Sequence, residues 1–581
     1  MWLIEASTLS LEAFNGDAVP PYAILSHTWE DEEVSFQEFI KASESQGNTS
    51  SITRKAGYRK LVAVCELAQR EGYHYVWVDT CCIDKNSSAE LTEAINSMFG
   101  WYRDSQICYA YLSDFESGIH FTDSSPQSQR KQFAALLRKC KWFTRGWCLQ
   151  ELLAPIRTCF LNRRWEKIGT RHLLSRLISD ITGIPPSVLT TPPKNKISNF
   201  PIAARISWIS QRQTTRVEDM SYSLFGILEV NMPTIYGEGH AAFIRLQGEI
   251  IRKYNDLSIF SFVGRPNLGG FMPILAQRPK CFVIDSSASP YKRESYHAGN
   301  QLGTQFSLTN QGVFFPNATL RYQRVAGYRH QYLLDLHYLG RHTGRRYLLL
   351  QKIGPGIFLR IHNSKSRQSA FKKVAISGPF NESVRILHRV PRIMLLEGSS
   401  QWERNAVRLR WKPWDRPGRR FYHVRVAEPR ANWDLAANQF LVQLGASPEM
   451  HIEFAPGCYS TNPGMKSFIL IIRVYKEDQN LKRIKAQIVS AETWNGASRT
   501  ELGFRGNGLS EIPYAQGTET SSISIVGYDI KMRVDLVRER GQLDYHLIYL
   551  DWELTDVTRQ AEASTVVTAM VLPSRPSEGL T

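Results

Sequence analysis

The chain has 581 residues, 43% of them hydrophobic and 22% charged, which excludes wholesale disorder and predicts a globular protein of about two to four domains. Its net charge of +17 is unevenly placed: residues 1–262 hold 28 Lys+Arg against 28 Asp+Glu, whereas residues 263–581 hold 43 against 26. The excess marks the second part for contact with something anionic, such as nucleic acid, a membrane surface or an acidic protein.

The opening Met1-Trp-Leu-Ile-Glu5 lacks a basic segment followed by a long apolar one, so no signal peptide is expected, and no apolar run reaches the length of a bilayer span. The nine cysteines are odd in number, and most sit in apolar runs. That pattern suits reduced thiols in a cytoplasmic protein. Cys81 and Cys82 are adjacent without a C-x-x-C pair, so no metal site is expected.

In chain order, Tyr22-Ala-Ile-Leu-Ser26 follows two prolines and reads as a buried strand. Leu61, Val64, Cys65 and Ala68 form a helical stripe that stops at Gly72. A second buried strand is predicted over residues 73–79. Leu91, Ile95, Met98, Phe99 and Tyr102 make the next helical stripe, and residues 107–112 a third strand. The Ser-, Asp- and Gln-rich stretch 118–129 reads as a loop. On the following helix, Arg145-Gly-Trp-Cys-Leu-Gln-Glu151-Leu-Leu, residues four apart share a side, so Trp147 and Glu151 stand together while Leu149, Leu152 and Leu153 take the opposite, core-facing side. Residues 157–161 form a fourth strand.

Strands alternating with helices predict an open parallel sheet covered by helices. Ligands bind such sheets beyond the carboxyl ends of the strands. Ser26-His27-Thr28-Trp29 follows the first strand there, and Asp79-Thr-Cys-Cys-Ile-Asp84 the second.

The proline-rich stretch from Pro185 to Lys196 reads as a linker, followed by helices over 202–209, 220–228 and 241–254. Gly237-Glu-Gly239 lacks a preceding strand and reads as a helix-start turn rather than a dinucleotide fingerprint. From residue 263 the pattern changes to short β-rich segments separated by Gly, Pro or Asn, which predicts a sandwich or barrel-like domain. The expected divisions are an α/β domain over 1–182, a linker and helical extension over 183–262, a basic β-rich, sandwich-like domain over 263–557, and a flexible tail from 558.

Tyr22-Ala-Ile-Leu-Ser-His-Thr-Trp29, Val76-Trp-Val-Asp-Thr-Cys-Cys-Ile-Asp84 and Arg145-Gly-Trp-Cys-Leu-Gln-Glu151 resemble, in order and spacing, the three motifs of the heterokaryon incompatibility (HET) domain family of filamentous fungi, across about residues 20–165. Arg216-Val-Glu-Asp-Met-Ser-Tyr-Ser-Leu-Phe-Gly226 and Tyr236-Gly-Glu-Gly239 are similar to the segment that commonly follows that domain. The resemblance implies a role in non-self recognition, a fungal form of innate immunity, and in programmed cell death. It also implies kinship with the Toll/interleukin-1 receptor (TIR) fold, a flavodoxin-like parallel sheet, and self-association through the domain. In TIR enzymes that consume NAD, a helical glutamate, often within W-x-x-x-E, is required, and Glu151 stands at the matching position.

This makes NAD a substrate rather than a resident cofactor. Nicotinamide is already a cationic leaving group, so one carboxylate suffices to stabilise the oxocarbenium-like ribose. Glu151 is the catalytic candidate, with Ser26, His27, Trp29, Asp79, Arg145 and Trp147 as binding candidates. Trp29 or Trp147 would stack on a ring. Arg145 has two readings, pairing with the pyrophosphate or locking an acid such as Asp84. Cys82 and Cys148, in apolar settings, read as core thiols. A non-catalytic assembly module, whose β-rich domain binds a protein or an anionic partner, is the alternative.

Overall fold

The computed structural model describes residues 1–44, 50–118, 121–122, 126–190, 197–264, 266, 270–282, 305–323, 331–340, 344–362, 380–388, 407–411, 422–428, 430–435, 439–441, 449–456, 467–477, 481–490, 519–525, 528–539, 542–554 and 566–570. These fall into two compact units, the first built mainly on Met1–Gly264 and the second mostly C-terminal to it. Among the described residues no helix is long and apolar enough to cross a membrane.

The first unit holds a seven-stranded sheet. Its strands are β1 (Trp2–Glu5), β2 (Ser10–Ala13), β3 (Tyr22–His27), β4 (Tyr75–Trp77), β5 (Ile107–Tyr111), β6 (Thr158–Leu161) and β7 (Lys167–Thr170), in the spatial order β2-β1-β4-β3-β5-β6-β7. The four strands expected from the sequence are β3, β4, β5 and β6, and all their mutual pairings are parallel. The sequence pattern did not disclose the antiparallel edges. The β1–β2 hairpin adds to β4, with Ile4 opposite Val76, and β7 folds back on β6.

All six residues of β3 are buried, as a central strand covered on both faces requires. Its Ala23, Ile24 and Leu25 share one core with Val64, Cys65 and Ala68 of the helix Ala56–Arg70 and with Ala94, Met98 and Tyr102 of the helix Ser88–Asp104. The first of these helices ends at Gly72, whose φ of +84° allows the Tyr73 N–H to close on the Ala68 carbonyl at 2.9 Å. The second starts on Ser87, whose hydroxyl accepts the Glu90 N–H at 3.3 Å.

In chain order the parallel strands stand second, first, third, fourth. The connections therefore leave β3 in opposite directions, and a crevice opens between the carboxyl ends of β3 and β5.

The helical extension belongs to the same unit and consists of Ile202–Ser207, Asp219–Tyr222, Phe225–Leu228 and Ala241–Lys253. The single helix expected over 220–228 is two short ones, interrupted at Ser223 and Leu224. Gly237 and Gly239, with φ of +99° and +58°, form the turn before Ala241–Lys253, and both of their N–H groups donate to Glu218 at 2.9 Å.

The second unit is β-rich. Strands β8 (Phe271–Met272), β9 (Ser307–Leu308), β10 (Gly312–Gln323), β11 (Gln331–Gly340), β12 (Gly344–Gly354), β13 (Ile357–Ile361) and β14 (Phe380–Leu387) form a sheet in which β10 pairs with both β14 and β11. The five strands β10 to β14 thus close into a barrel, one of the two forms expected for this β-rich region. The closure follows from the twelve residues of β10, which bends at a register shift between Phe315 and Ala318 and serves two neighbours. A six-stranded and a five-stranded sheet make up the rest. Within the tail expected to be flexible, Val566–Met570 pair with Leu481–Ser490. Arg416-Pro-Gly-Arg-Arg420, a basic run in the second part of the sequence, and residues 191–196 of the linker lie outside the described residues.

A Cβ on Gly226 would collide with the Cβ and ring of Phe99, whereas one on Gly100 would meet only the Arg103 guanidinium at 3.7 Å. Gly226→Ala is expected to cost about 1–3 kcal/mol of stability by overpacking. Gly100→Ala, within a helix, is expected to add about 0.5–1 kcal/mol. Denaturant unfolding of the two variants checks the sign and order.

Candidate functional site

Glu151 lies on the short helix Cys148–Leu153, every residue of which is buried. The helical pattern set Glu151 on a face turned from the core, but the extension covers that face. Gln150 reaches the Tyr222 carbonyl at 3.5 Å, and the Gly146 N–H donates to the Gln213 carbonyl at 2.8 Å. A Cβ on Gly146 would strike the Thr214 side chain, which would have to shift to admit it. Glu151 is consequently only 5% exposed, yet it borders a cavity of about 1300 Å³.

The carboxylate is held by a hydroxyl from the central strand. Ser26, at the carboxyl end of β3, donates to Glu151 Oε2, and Ser26 Oγ in turn accepts the Trp142 indole N–H at 2.7 Å. Ser26 and Trp142 are both fully buried. Ser26 is placed to orient the acid, and it is not among the residues that line the cavity. Trp142, which the sequence reading passed over, sits nine residues before Glu151 within Lys141-Trp-Phe-Thr-Arg-Gly-Trp147 and had no spacing signal of its own.

Burial pushes the Glu151 carboxyl up to about 7, and the nearby Asp79 charge adds to this; Ser26, Cys148 and Arg145 pull the other way. The acid therefore changes charge near neutrality.

The other candidates, His27, Trp29, Asp79, Arg145 and Trp147, border the same cavity. Trp29 is 45% exposed, and its indole N–H donates to Asp79 Oδ2 at 2.8 Å. The second carboxylate oxygen of Asp79 is buried without a hydrogen-bond partner among the described residues, as are both ring nitrogens of His27. His27 stands 4.0 Å from Asp79 and 3.6 Å from Glu33. Burial pushes the Glu33 carboxyl up, but His27 and Lys60 outweigh it and bring Glu33 down to about 2.

Arg145 is half-buried and makes no ion pair among the described residues. Asp84 instead accepts hydrogen bonds from Gln37 and from the Asn86 N–H, so the reading in which Arg145 locks Asp84 is not the one observed.

The extension supplies the remaining wall, through residues 213–216, Asp219 and Tyr236, whose hydroxyl donates to Asp219 at 3.0 Å. These contributions lie some sixty or more residues beyond the Trp147/Glu151 motif; Arg216, Asp219 and Tyr236 fall within the segments 216–226 and 236–239 noted in the sequence, which gave no sign of a place in the site. Beneath Glu151 and Cys148, the buried Arg212 donates to the Arg145 carbonyl at 2.9 Å; burial pushes its guanidinium down to about 10, and both neighbours favour its charge.

Cys81, Cys82 and Cys148 are buried free thiols. Burial pushes Cys81 and Cys148 far above the range in which a thiolate forms, which suits core packing. Among the described residues no group of three or more His, Cys, Asp or Glu is placed to hold a metal ion.

Residues 22–134 match the family model described as Heterokaryon incompatibility protein (HET), and the chain carries a domain of that family. Over 235 residues, 40% of this chain, it is 48% identical to the Vegetative incompatibility protein HET-E-1 of Podospora anserina. The match spans 16% of the length of that relative. No solved structure matches the chain. Glu151, Arg145 and Trp147 lie beyond the residues that the family model covers.

Because the folded protein raises the Glu151 pKa from 4.5 to about 7, the native state binds a proton that the unfolded chain releases. The stabilisation is complete below the unfolded value and is lost as pH rises through about 7. Wild type is expected to lose up to about 3 kcal/mol relative to Glu151→Gln across that window. Denaturation of both proteins at pH 4.5 and pH 8 measures it; parallel profiles would contradict the assignment.

Proposed function

We propose that the HET domain hydrolyses NAD to nicotinamide and ADP-ribose, and that the resulting loss of the cofactor pool drives an incompatibility-type cell death. The observation that carries this reading is the buried Glu151 carboxylate, fixed by Ser26 at the end of the central strand and bordering a cavity lined by the indoles of Trp29, Trp147 and Trp165. Three further features support it. The strand order second-first-third-fourth is that of flavodoxin-like sheets, to which TIR domains belong. The crevice lies where such sheets bind nucleotides. The cavity exceeds the roughly 300–1,000 Å³ of ordinary small-molecule sites and has room for a dinucleotide.

In the reaction the bond between ribose C1′ and the nicotinamide nitrogen breaks, and both electrons go to nitrogen, releasing neutral nicotinamide. The ionised Glu151 stabilises the positive charge left on the ribose and accepts its hydroxyl hydrogen bonds. Water then adds to C1′, and the proton it sheds passes to the carboxylate, whose affinity near pH 7 suits that transfer. Trp29 or Trp147 stacks on a ring of the substrate. Because the charged form acts, the rate rises as pH climbs through about 7.

The cellular role rests on the HET domain and on the name of the relative, a vegetative incompatibility protein. Self-association through the HET domain belongs to the same proposal, as does a protein or anionic partner for the basic second unit.

Incubating the full-length protein with NAD and measuring nicotinamide release tests the chemistry. Glu151→Gln is expected to lower the rate by about 10²–10³-fold, the usual cost of removing a charge-stabilising group. An undiminished rate in that variant, or a wild-type protein that assembles yet leaves NAD intact, would favour the non-catalytic module.

A further inference from the structure

Three loops meet around the Trp29 ring. Trp29 follows β3, Lys85 follows the Asp79–Asp84 motif after β4, and Arg145 precedes the Glu151 helix. The Lys85 ammonium lies 3.9 Å from the centroid of the indole ring and the Arg145 guanidinium carbon 5.8 Å from it. All three side chains border the cavity.

Among the described residues neither cation makes an ion pair. One carboxylate oxygen of Asp79, Oδ2, accepts the ring N–H at 2.8 Å, which fixes the ring in place. Asp79 and Glu33 act on Lys85 only through longer-range attraction, which does not offset the desolvation that lowers its pKa. Two positive charges beside an exposed aromatic plane, with no acid assigned to them, make a surface that takes an aromatic ring and an anion at once.

We propose that Lys85 and Arg145, with Trp29, form the subsite for the diphosphate of a nucleotide. This rests on the reading of the cavity as a nucleotide site and adds Lys85, a residue that neither the W-x-x-x-E motif nor the strand-end pattern singles out. Arg145 offers a planar fork of donors to two phosphate oxygens, and the exposed Lys85 a point charge placed over the indole. A nucleoside without phosphates has nothing to offer either group.

Binding of ADP and of adenosine to the full-length protein, measured by titration calorimetry, tests this without turnover. ADP is expected to bind more tightly than adenosine, and its affinity to fall with added KCl while that of adenosine holds. Lys85→Gln is expected to weaken ADP by about tenfold, the worth of a hydrogen bond to a charged group, and to leave adenosine unchanged. Equal affinities for ADP and adenosine, no ADP binding, or a Lys85→Gln protein with wild-type ADP affinity would each overturn the subsite. A protein that binds ADP in this manner but releases no nicotinamide keeps the subsite and loses the hydrolase; one that releases nicotinamide without the Lys85 dependence does the reverse.

Discussion

The hydrogen bond from Ser26 to Glu151 is the interaction on which the rest of the site depends. A carboxylate enclosed by a helix, a sheet and an overlying extension is costly to ionise, and it stays in place only if a polar partner compensates. Ser26 provides that compensation from a fully buried strand, and its oxygen in turn accepts the Trp142 indole N–H. The result is an acid whose position is set by the core and whose charge is sensitive near neutrality.

The extension is part of the site. Gln213 and Thr214 pack against Gly146, and Arg212 ties itself to the Arg145 carbonyl, so the segment after the linker fixes the entry to the Glu151 helix. The part matched by the family model therefore supplies β3, β4 and β5 of the sheet and the His27, Trp29 and Asp79 side of the cavity. The acid, the indoles of Trp147 and Trp165 and the far wall come from later in the chain. Charge follows a different division: the balanced residues 1–262 hold the cavity, and the basic excess lies in residues 263–581.

What could be read from the sequence was whatever a continuous pattern encodes. Tyr22-Ala-Ile-Leu-Ser26 announced a buried strand because a central parallel strand is apolar on both faces. Leu61, Val64, Cys65 and Ala68 announced a helix because only one of its faces is covered. The β1–β2 hairpin carried no comparable signal, being two four-residue strands without clean alternation. The burial of Glu151 was hidden for a related reason: a helical stripe identifies one core face, and the second face was covered by residues far away in the chain. The indole of Trp142 and the ammonium of Lys85 were invisible because their roles come from a contact across 116 residues in one case and across a loop junction in the other. Barrel closure likewise depended on β10 serving two partners, which strand-by-strand reading does not reveal.

The central claim is that Glu151 is a buried acid, held by Ser26, that changes charge near neutral pH. Infrared difference titration of wild type against Glu151→Gln reports that carboxyl directly, through loss of its protonated C=O band as pH rises. The account predicts a midpoint at about 7. A midpoint at the ordinary carboxylate value of 4.5 would mean that the acid is solvated and that the buried relay does not exist.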